Sequence, residues 1–209
     1  SILYVGGNGP NNYSSIQAAI TDAQTNDTIY VFNGTYYEAV HINKPLHILG
    51  ENKSTTFLQG NGTRDIVTIT TNYVTLSNFG IQNGHFDILM NHSSDVILSE
   101  NDIESGLHGV SIQNGCSQIT ISKNSFLDNV YGLRIFSSTD VSVSDNNFNS
   151  FKINAFYFGT TFEQGHHQWY HNYWEAPHHL PYLIHGKIRL GNFSFIMFNI
   201  DWAPRASPY

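Results

Sequence analysis

Four stretches of the chain align almost without adjustment: VILSENDI (96–103), ITISKNSF (119–126), VSVSDNNF (141–148) and HQWYHNYW (167–174). Each begins with large residues two apart, places an Asn five positions after the first, and sets a large apolar residue two further on. Asn101, Asn124, Asn146 and Asn172 follow one another at intervals of 23, 22 and 26. A period of this size marks stacked units, each too small to bury its own apolar side.

A second short strand precedes each of these stretches. Its pairs are Val67/Ile69, Ile88/Met90, Val110/Ile112, Leu133/Ile135 and Phe156/Phe158, at intervals of 21, 22, 23 and 23. Residues two apart on a strand share a face. The pairs are therefore expected inward, with Thr68, Leu89, Ser111, Arg134 and Tyr157 outward. Val74/Leu76, Val96/Leu98, Ile119/Ile121 and Val141/Val143 repeat the pattern on the following strand. Coiling one unit on the next, at roughly 4.8 Å per strand, pairs each strand with its successor in parallel and closes one core. The fold class predicted is all-β, a single parallel solenoid.

An inward Asn at a fixed corner can bond the coils above and below, satisfying backbone groups that the sharp turn leaves unpaired. This predicts a ladder of Asn101, Asn124, Asn146 and Asn172. Phe79 holds the Asn place in the first full unit, and His167 and Trp169 replace aliphatic residues in the last. Terminal repeats are commonly atypical.

Ahead of the repeats, Ser14 to Gln17 has capping-box form, and Ile16, Ala19, Ile20 and Ala23 follow at helical spacing. A short amphipathic helix covering the open end is expected, since an uncovered solenoid end invites strand addition. Initial strands are predicted over 28–32, 39–42 and 46–49, with Asn33-Gly34 as a turn. The chain reads as one domain over 1–209: strand and cap helix in 1–26, initial coils in 27–64, regular repeats in 65–176 and a closing coil in 177–209.

The 209 residues carry only 12% charged side chains and a net charge of −7, with nine Lys+Arg and no basic cluster. That excludes the electrostatic footprint of a nucleic-acid binder. No run of 18 apolar residues predicts a membrane span. The lone Cys116 excludes an intramolecular disulfide and a CxxC metal site. The start at Ser1 rather than Met fits a processed mature protein or a trimmed chain. Seven Asn-x-Ser/Thr acceptors occur, at Asn12, Asn26, Asn33, Asn52, Asn61, Asn91 and Asn192. From 23 Asn and 35 Ser/Thr, about four would arise by chance in so short a motif. The excess favours a secreted or cell-surface glycoprotein.

The stretches LYVGGNGPNNYSSIQAAITDA (3–23) and DTIYVFNGTYYEAVHINKPLHILGEN (27–52) resemble the start of right-handed parallel β-helix domains of the pectin-lyase-like type. The closing Asn172-Tyr173-Trp174, Pro181-Tyr182, Gly186 and the run from Ile200 to Pro204 resemble them too. Such domains occur in archaeal cell-surface proteins, in periplasmic accessory proteins of nitrous-oxide-reductase maturation and in carbohydrate-active enzymes. The resemblance implies a right-handed solenoid and leaves function open, because one fold hosts many.

Three readings of function follow. The first is a non-catalytic surface module whose partners are glycans, neighbouring surface proteins or copies of itself. Tyr157 and Tyr170 are its candidate surface contacts, while Trp169 and Trp174 belong inward. The apolar FSFIMF (193–198) either closes the last coil or presents an edge for self-association. The second is a polysaccharide lyase or hydrolase. Asp95 and Asp140 share a column two rungs apart, roughly 9–10 Å, near the upper separation for an inverting pair. Both also suit a turn end. Arg134 stands outward with no carboxylate in its column and only a loose approach from Asp87, so a lyase centre lacks support. The column Glu100, Lys123, Asp145 and His171 reads as a self-neutralising wall. The third is a Cu or Zn carrier using the histidine-rich end: His166, His167, His171, His178 and His179.

Overall fold

The computed structural model describes residues 1–176 and 180–208. From the second coil on, each coil contributes one short strand to each of three parallel stacks, which the chain visits in a fixed order. The first sheet runs from Ile2–Val5 through Asp27–Val31, Leu46–Gly50, Val74–Ser77, Ser94–Ser99, Ser117–Ser122 and Val141–Ser144 to Gln168–Tyr170. The second runs from Gly34–Tyr36 to Tyr173–Trp174. The third stacks Val40–Ile42, Val67–Ile69, Phe86–Asn91, His108–Gln113, Tyr131–Phe136 and Ile153–Gly159. The predicted turn at Asn33-Gly34 is shorter than expected, because Gly34 already starts a second-sheet strand.

Parallel register brings residues one period apart side by side. Val96 pairs with Val74 and Ile119, and Ile119 with Val141. On the third sheet Ile88 pairs with Val67 and Val110, and Val110 with Leu133. All of these are fully or almost fully buried. The second sheet adds an inward column of Leu58, Ile81, Ile103, Phe126, Phe148 and Trp174. Its last rings stack at 4.6 and 4.5 Å, and Tyr182 closes the stack at 4.3 Å from Trp174.

One expected register is corrected. Leu133 pairs with Ala155 and Ile135 with Tyr157, so Phe156 and Phe158 face outward. A shift of one residue flips every side chain of a strand. Tyr157 is therefore core, 1% exposed, and its surface role falls. Its ring fills the place opposite Gly186, where a Cβ would sit 2.0 Å from the ring. Tyr170 is 53% exposed, and Trp169 and Trp174 are buried, as the sequence indicates.

The asparagines form a directed relay. Phe79 N–H donates to Asn101 Oδ1 at 3.0 Å, Asn101 N–H to Asn124 at 3.0 Å, Asn124 N–H to Asn146 at 2.9 Å and Asn146 N–H to Asn172 at 3.0 Å. Each Nδ2 donates back to a carbonyl of the preceding coil: Leu76, Leu98, Ile121 and Val143. The relay ends on Asp201, whose Oδ2 accepts from Asn172 N–H at 2.9 Å and from Trp174 Nε1 at 3.1 Å. The residue before each ladder position adopts positive φ: Asn78, Glu100, Lys123, Asp145 and His171, between 55° and 62°. The Asn thus secures a corner whose preceding residue is in an unfavoured backbone region.

Both ends are covered. The helix Ile16–Asp22 buries Ile16, Ala19 and Ile20. Its cap differs from the predicted box: Ser15 Oγ accepts from Ala18 N–H, and Glu38 takes the N–H groups of Ile16 and Gln17 at 2.8 and 2.9 Å. Gln17 is instead bonded to the backbone of His41. At the other end, Tyr182–Leu190 and Phe193–Asp201 form an antiparallel hairpin that bridges the first and third sheets. His167 lies inside this end, 7% exposed, and burial pulls its pKa down to about 4.

Replacing Asn124 with Ala leaves the buried Asn101 N–H and Leu98 carbonyl unpaired, at about 1–3 kcal/mol each. Urea unfolding is expected to show a loss of about 2–5 kcal/mol, against under about 1 kcal/mol for Glu100→Ala on the outer wall. A second outcome concerns acid. His167 is depressed from 6.5 to about 4, so its neutral form contributes fully above pH 6.5. That contribution declines as the pH falls from 6.5 toward 4. His167→Leu, matching the aliphatic column, is expected to flatten the loss of stability across this window in unfolding curves at pH 7, 5 and 4.

Candidate functional site

The outer face of the third sheet carries two columns that the coil period assembles. Phe86, His108 and Tyr131 stand in register, and their rings stack at 4.8 and 5.0 Å. Beside them run Leu89, Ser111, Arg134 and Phe156. The Arg134 guanidinium carbon lies 4.6 Å from the Phe136 ring centroid, 5.5 Å from Phe86 and 5.8 Å from Phe156. Its Nη1 is 2.8 Å from His108 Nε2, and its Nε is buried without a partner. Among the described residues no carboxylate pairs with it.

The electrostatics follow from this packing. Burial lowers the Arg134 pKa, although a guanidinium remains charged at any physiological pH. Burial, then the Arg134 charge, then His85 pull His108 down to about 4, so its ring is neutral and accepts from the guanidinium. The result is a half-desolvated cation on an aromatic bed, an arrangement in which a charged partner gains more than it does in bulk water.

The track continues along the solenoid axis. His85 Nδ1 sits 3.3 Å from Asp65 Oδ1, and its ring meets the Phe86 and His108 rings edge-on. Asp65 also lines an open groove of about 300 Å³ with Tyr37, Glu38, Gln59, Asn61 and Arg64 at the corner leading into the same sheet. Tyr37 is 79% exposed there.

Asp87 corrects another expectation. It points into the core rather than toward Arg134, is fully buried, and accepts from Gly84 N–H at 2.7 Å through Oδ1. Its Oδ2 is unpartnered and burial pushes its pKa well up. A Cβ at Gly106 would lie 2.3 Å from that oxygen, so glycine is required above it. Asn129 accepts from Gly106 N–H and Asn154 from Ser150 N–H, so Asp87 belongs with a second set of corner-holding side chains.

The other sequence candidates are dispersed. Asp95 and Asp140 flank Gln118 in one column of corner residues with φ of 55°, 54° and 51°, and Asp95 accepts from Ser94 Oγ. Glu100 faces Lys123 at 3.8 Å and Asp145 faces His171 at 3.9 Å, the expected wall. His166 is exposed, His167 inward and His171 outward against Tyr170. Among the described residues no three His, Cys, Asp or Glu side chains are gathered as metal ligands. His178 and His179 lie outside the described residues. Cys116 is buried, donates to Gln113 O, and has its pKa raised by burial. None of the seven acceptor asparagines is buried.

Phe86, His108, Tyr131 and Phe136 are site residues to which the inward alternation pattern does not point. Their signal was present at the repeat interval, since 86, 108 and 131 differ by 22 and 23.

A search of the curated proteins gives no match. Among solved structures the chain is similar to a pectin methylesterase from Yersinia enterocolitica, with a TM-score of 0.56 and 15% identity over 76% of this chain. It is also similar to an alginate lyase from Paenibacillus sp. str. FPU-7, with a TM-score of 0.55 and 14% identity over 68%. It spans 63% of the length of each. At such identities the likeness concerns the fold. The family model described as "Right handed beta helix region" matches residues 10–165, most of the chain, and the protein belongs to that family.

Proposed function

We propose that the outer face of the third sheet binds an extended acidic polysaccharide, that Arg134 seats a carboxylate, and that the module acts by recognition without turnover. One observation carries the reading: a half-buried guanidinium with no carboxylate partner among the described residues, bedded among Phe86, Phe136 and Phe156. Arginine presents a planar fork that matches a carboxylate, and its aromatic bed limits the entropy lost on binding. An extended ligand is favoured because the polar and aromatic positions recur at each coil, roughly every 4.8 Å, from the Arg64 groove to Phe156. The proposal includes an exported or cell-surface setting, supported by the low charge and the accessible acceptor asparagines.

A catalytic reading on the same face has one support, the enzyme names of the two similar structures. Against it, the carboxylates near the track are otherwise engaged: Asp65 with His85, Asp87 in the core and Glu38 at the helix start.

Calorimetry with acidic and neutral oligosaccharides of equal length tests the proposal. Wild type is expected to bind the acidic chain alone, with Arg134→Ala weakening it at least about tenfold and Arg134→Lys failing to restore it. Equal binding of neutral chains, or no effect of Arg134→Ala, overturns recognition by this face. Unsaturated products, reducing ends or released methanol overturn the non-catalytic part. A separate check follows from His108. NMR titration is expected to place its pKa about 4, and Arg134→Ala to raise it part of the way toward 6.5, burial keeping the remainder. An unchanged value in the variant shows that the guanidinium does not sit on that ring.

A further inference from the structure

The outer face of the first sheet carries a regular array of hydroxyls. Parallel register aligns Thr75, Ile97, Thr120 and Ser142 in one file and Ser77, Ser99, Ser122 and Ser144 in the next. Both files point outward, because Val74/Leu76, Val96/Leu98, Ile119/Ile121 and Val141/Val143 take the inward phase and are buried. Every position is therefore Ser or Thr, half-buried, except the exposed Ile97. Among the described residues none of these hydroxyls bonds another protein group, so each keeps its donor and acceptors for the outside. The two files hold no charged side chain and no aromatic ring. The third sheet bears Arg134 and its rings, and the second is interrupted by Asp102 and Glu104. Only the first sheet presents a uniform neutral surface.

The backbone beneath the files is held from within. Asn124 Nδ2 and Asn146 Nδ2 donate to the carbonyls of Ser122 and Ser144 at 3.0 and 2.9 Å. Asn101 and Asn124 hold those of Leu76 and Leu98, beside the serine file. Thr75, Ile97 and Thr120 are β-branched and stiff at χ1, which keeps the other file in place.

The fold sets both repeats of the array, roughly 4.8 Å from coil to coil and roughly 6.6–6.8 Å between files. One serine hydroxyl gains little by exchanging water for another partner. A preorganised array gains from a partner that repeats at the same two intervals, since little ordering remains to be done on binding. A single polysaccharide chain matches at most one interval, and these files offer no ring on which its sugars stack. Hexagonal ice repeats its oxygen atoms along two perpendicular directions at spacings close to both, is uncharged, and presents donors and acceptors as hydroxyls do. The geometry points to this face as an ice-binding surface, its hydroxyls holding a layer of water that joins the crystal. Bridging waters of this kind are nearly as favourable as direct bonds. Ice binding here is independent of Arg134, which lies on the third sheet.

Ice-affinity partition of the whole chain tests this assignment. A shell of ice is grown slowly in dilute protein, and the protein in ice and liquid is measured. Wild type is expected to enter the ice, while an unrelated globular protein of similar size stays in the liquid. Thr120→Tyr and Ser122→Tyr each stand a ring above the middle of the array at a position that suits strand residues. Both are expected to keep the circular dichroism spectrum and to fall to the level of the unrelated protein. Gln82→Tyr, the same change on the outer face of the second sheet, is expected to leave the wild-type fraction unchanged. Exclusion of wild type from ice overturns the inference. Undiminished incorporation of folded Thr120→Tyr and Ser122→Tyr overturns the assignment to this face. Wild type that stays in the liquid yet sediments with microcrystalline cellulose overturns it in favour of a crystalline polysaccharide.

Discussion

The amide relay from Phe79 to Asp201 is the constraint on which the rest of the molecule depends. Each coil turns sharply between its first and second strands through a residue at positive φ, leaving backbone groups pointing into an apolar interior. The side chain of the next coil's asparagine supplies an acceptor and a donor at that place, so one coil completes its neighbour. Stability in such a stack is the sum of nearest-neighbour interfaces. Because the relay runs in one direction, its last member needs an acceptor that no further coil provides. Asp201 meets that need by returning from the terminal hairpin, which explains why a carboxylate is buried at this end of the core.

Fixing the corners fixes the register, and the register builds the surface. Side chains 22 or 23 residues apart become neighbours, so Phe86, His108 and Tyr131 form a stack that no local sequence suggests. Arg134 rests in rings from three different coils. A guanidinium on such a bed is held by the scaffold at low entropic cost, and its Nε is buried with no hydrogen-bond partner among the described residues. Recognition on this face thus derives from the same periodicity that closes the core.

The sequence made the core columns legible wherever apolar and polar residues alternate, as in VTI (67–69) and ITIS (119–122). It misled at INAFYFG (153–159), where both phases are bulky and the pattern does not specify a face. Only the pairing of Leu133 with Ala155 decides that Tyr157 enters the core. Asp201 was not legible as the relay's end because it lies 29 residues beyond Asn172, outside the period. The helix start was half legible: Ser15 caps it, but Glu38 arrives from the next coil and leaves no local trace. Asp95 and Asp140 resemble a reacting pair in the sequence because they share a column two rungs apart. Positive φ at both marks them as corner residues.

The NMR resonance of Arg134 Nε–H, followed during titration with an acidic oligosaccharide and with a neutral one of equal length, reports most directly on whether this guanidinium seats a carboxylate. This buried proton is expected to shift, and to exchange more slowly with water, only as the acidic chain saturates. An Nε–H signal that stays in place while resonances of another face move would contradict it.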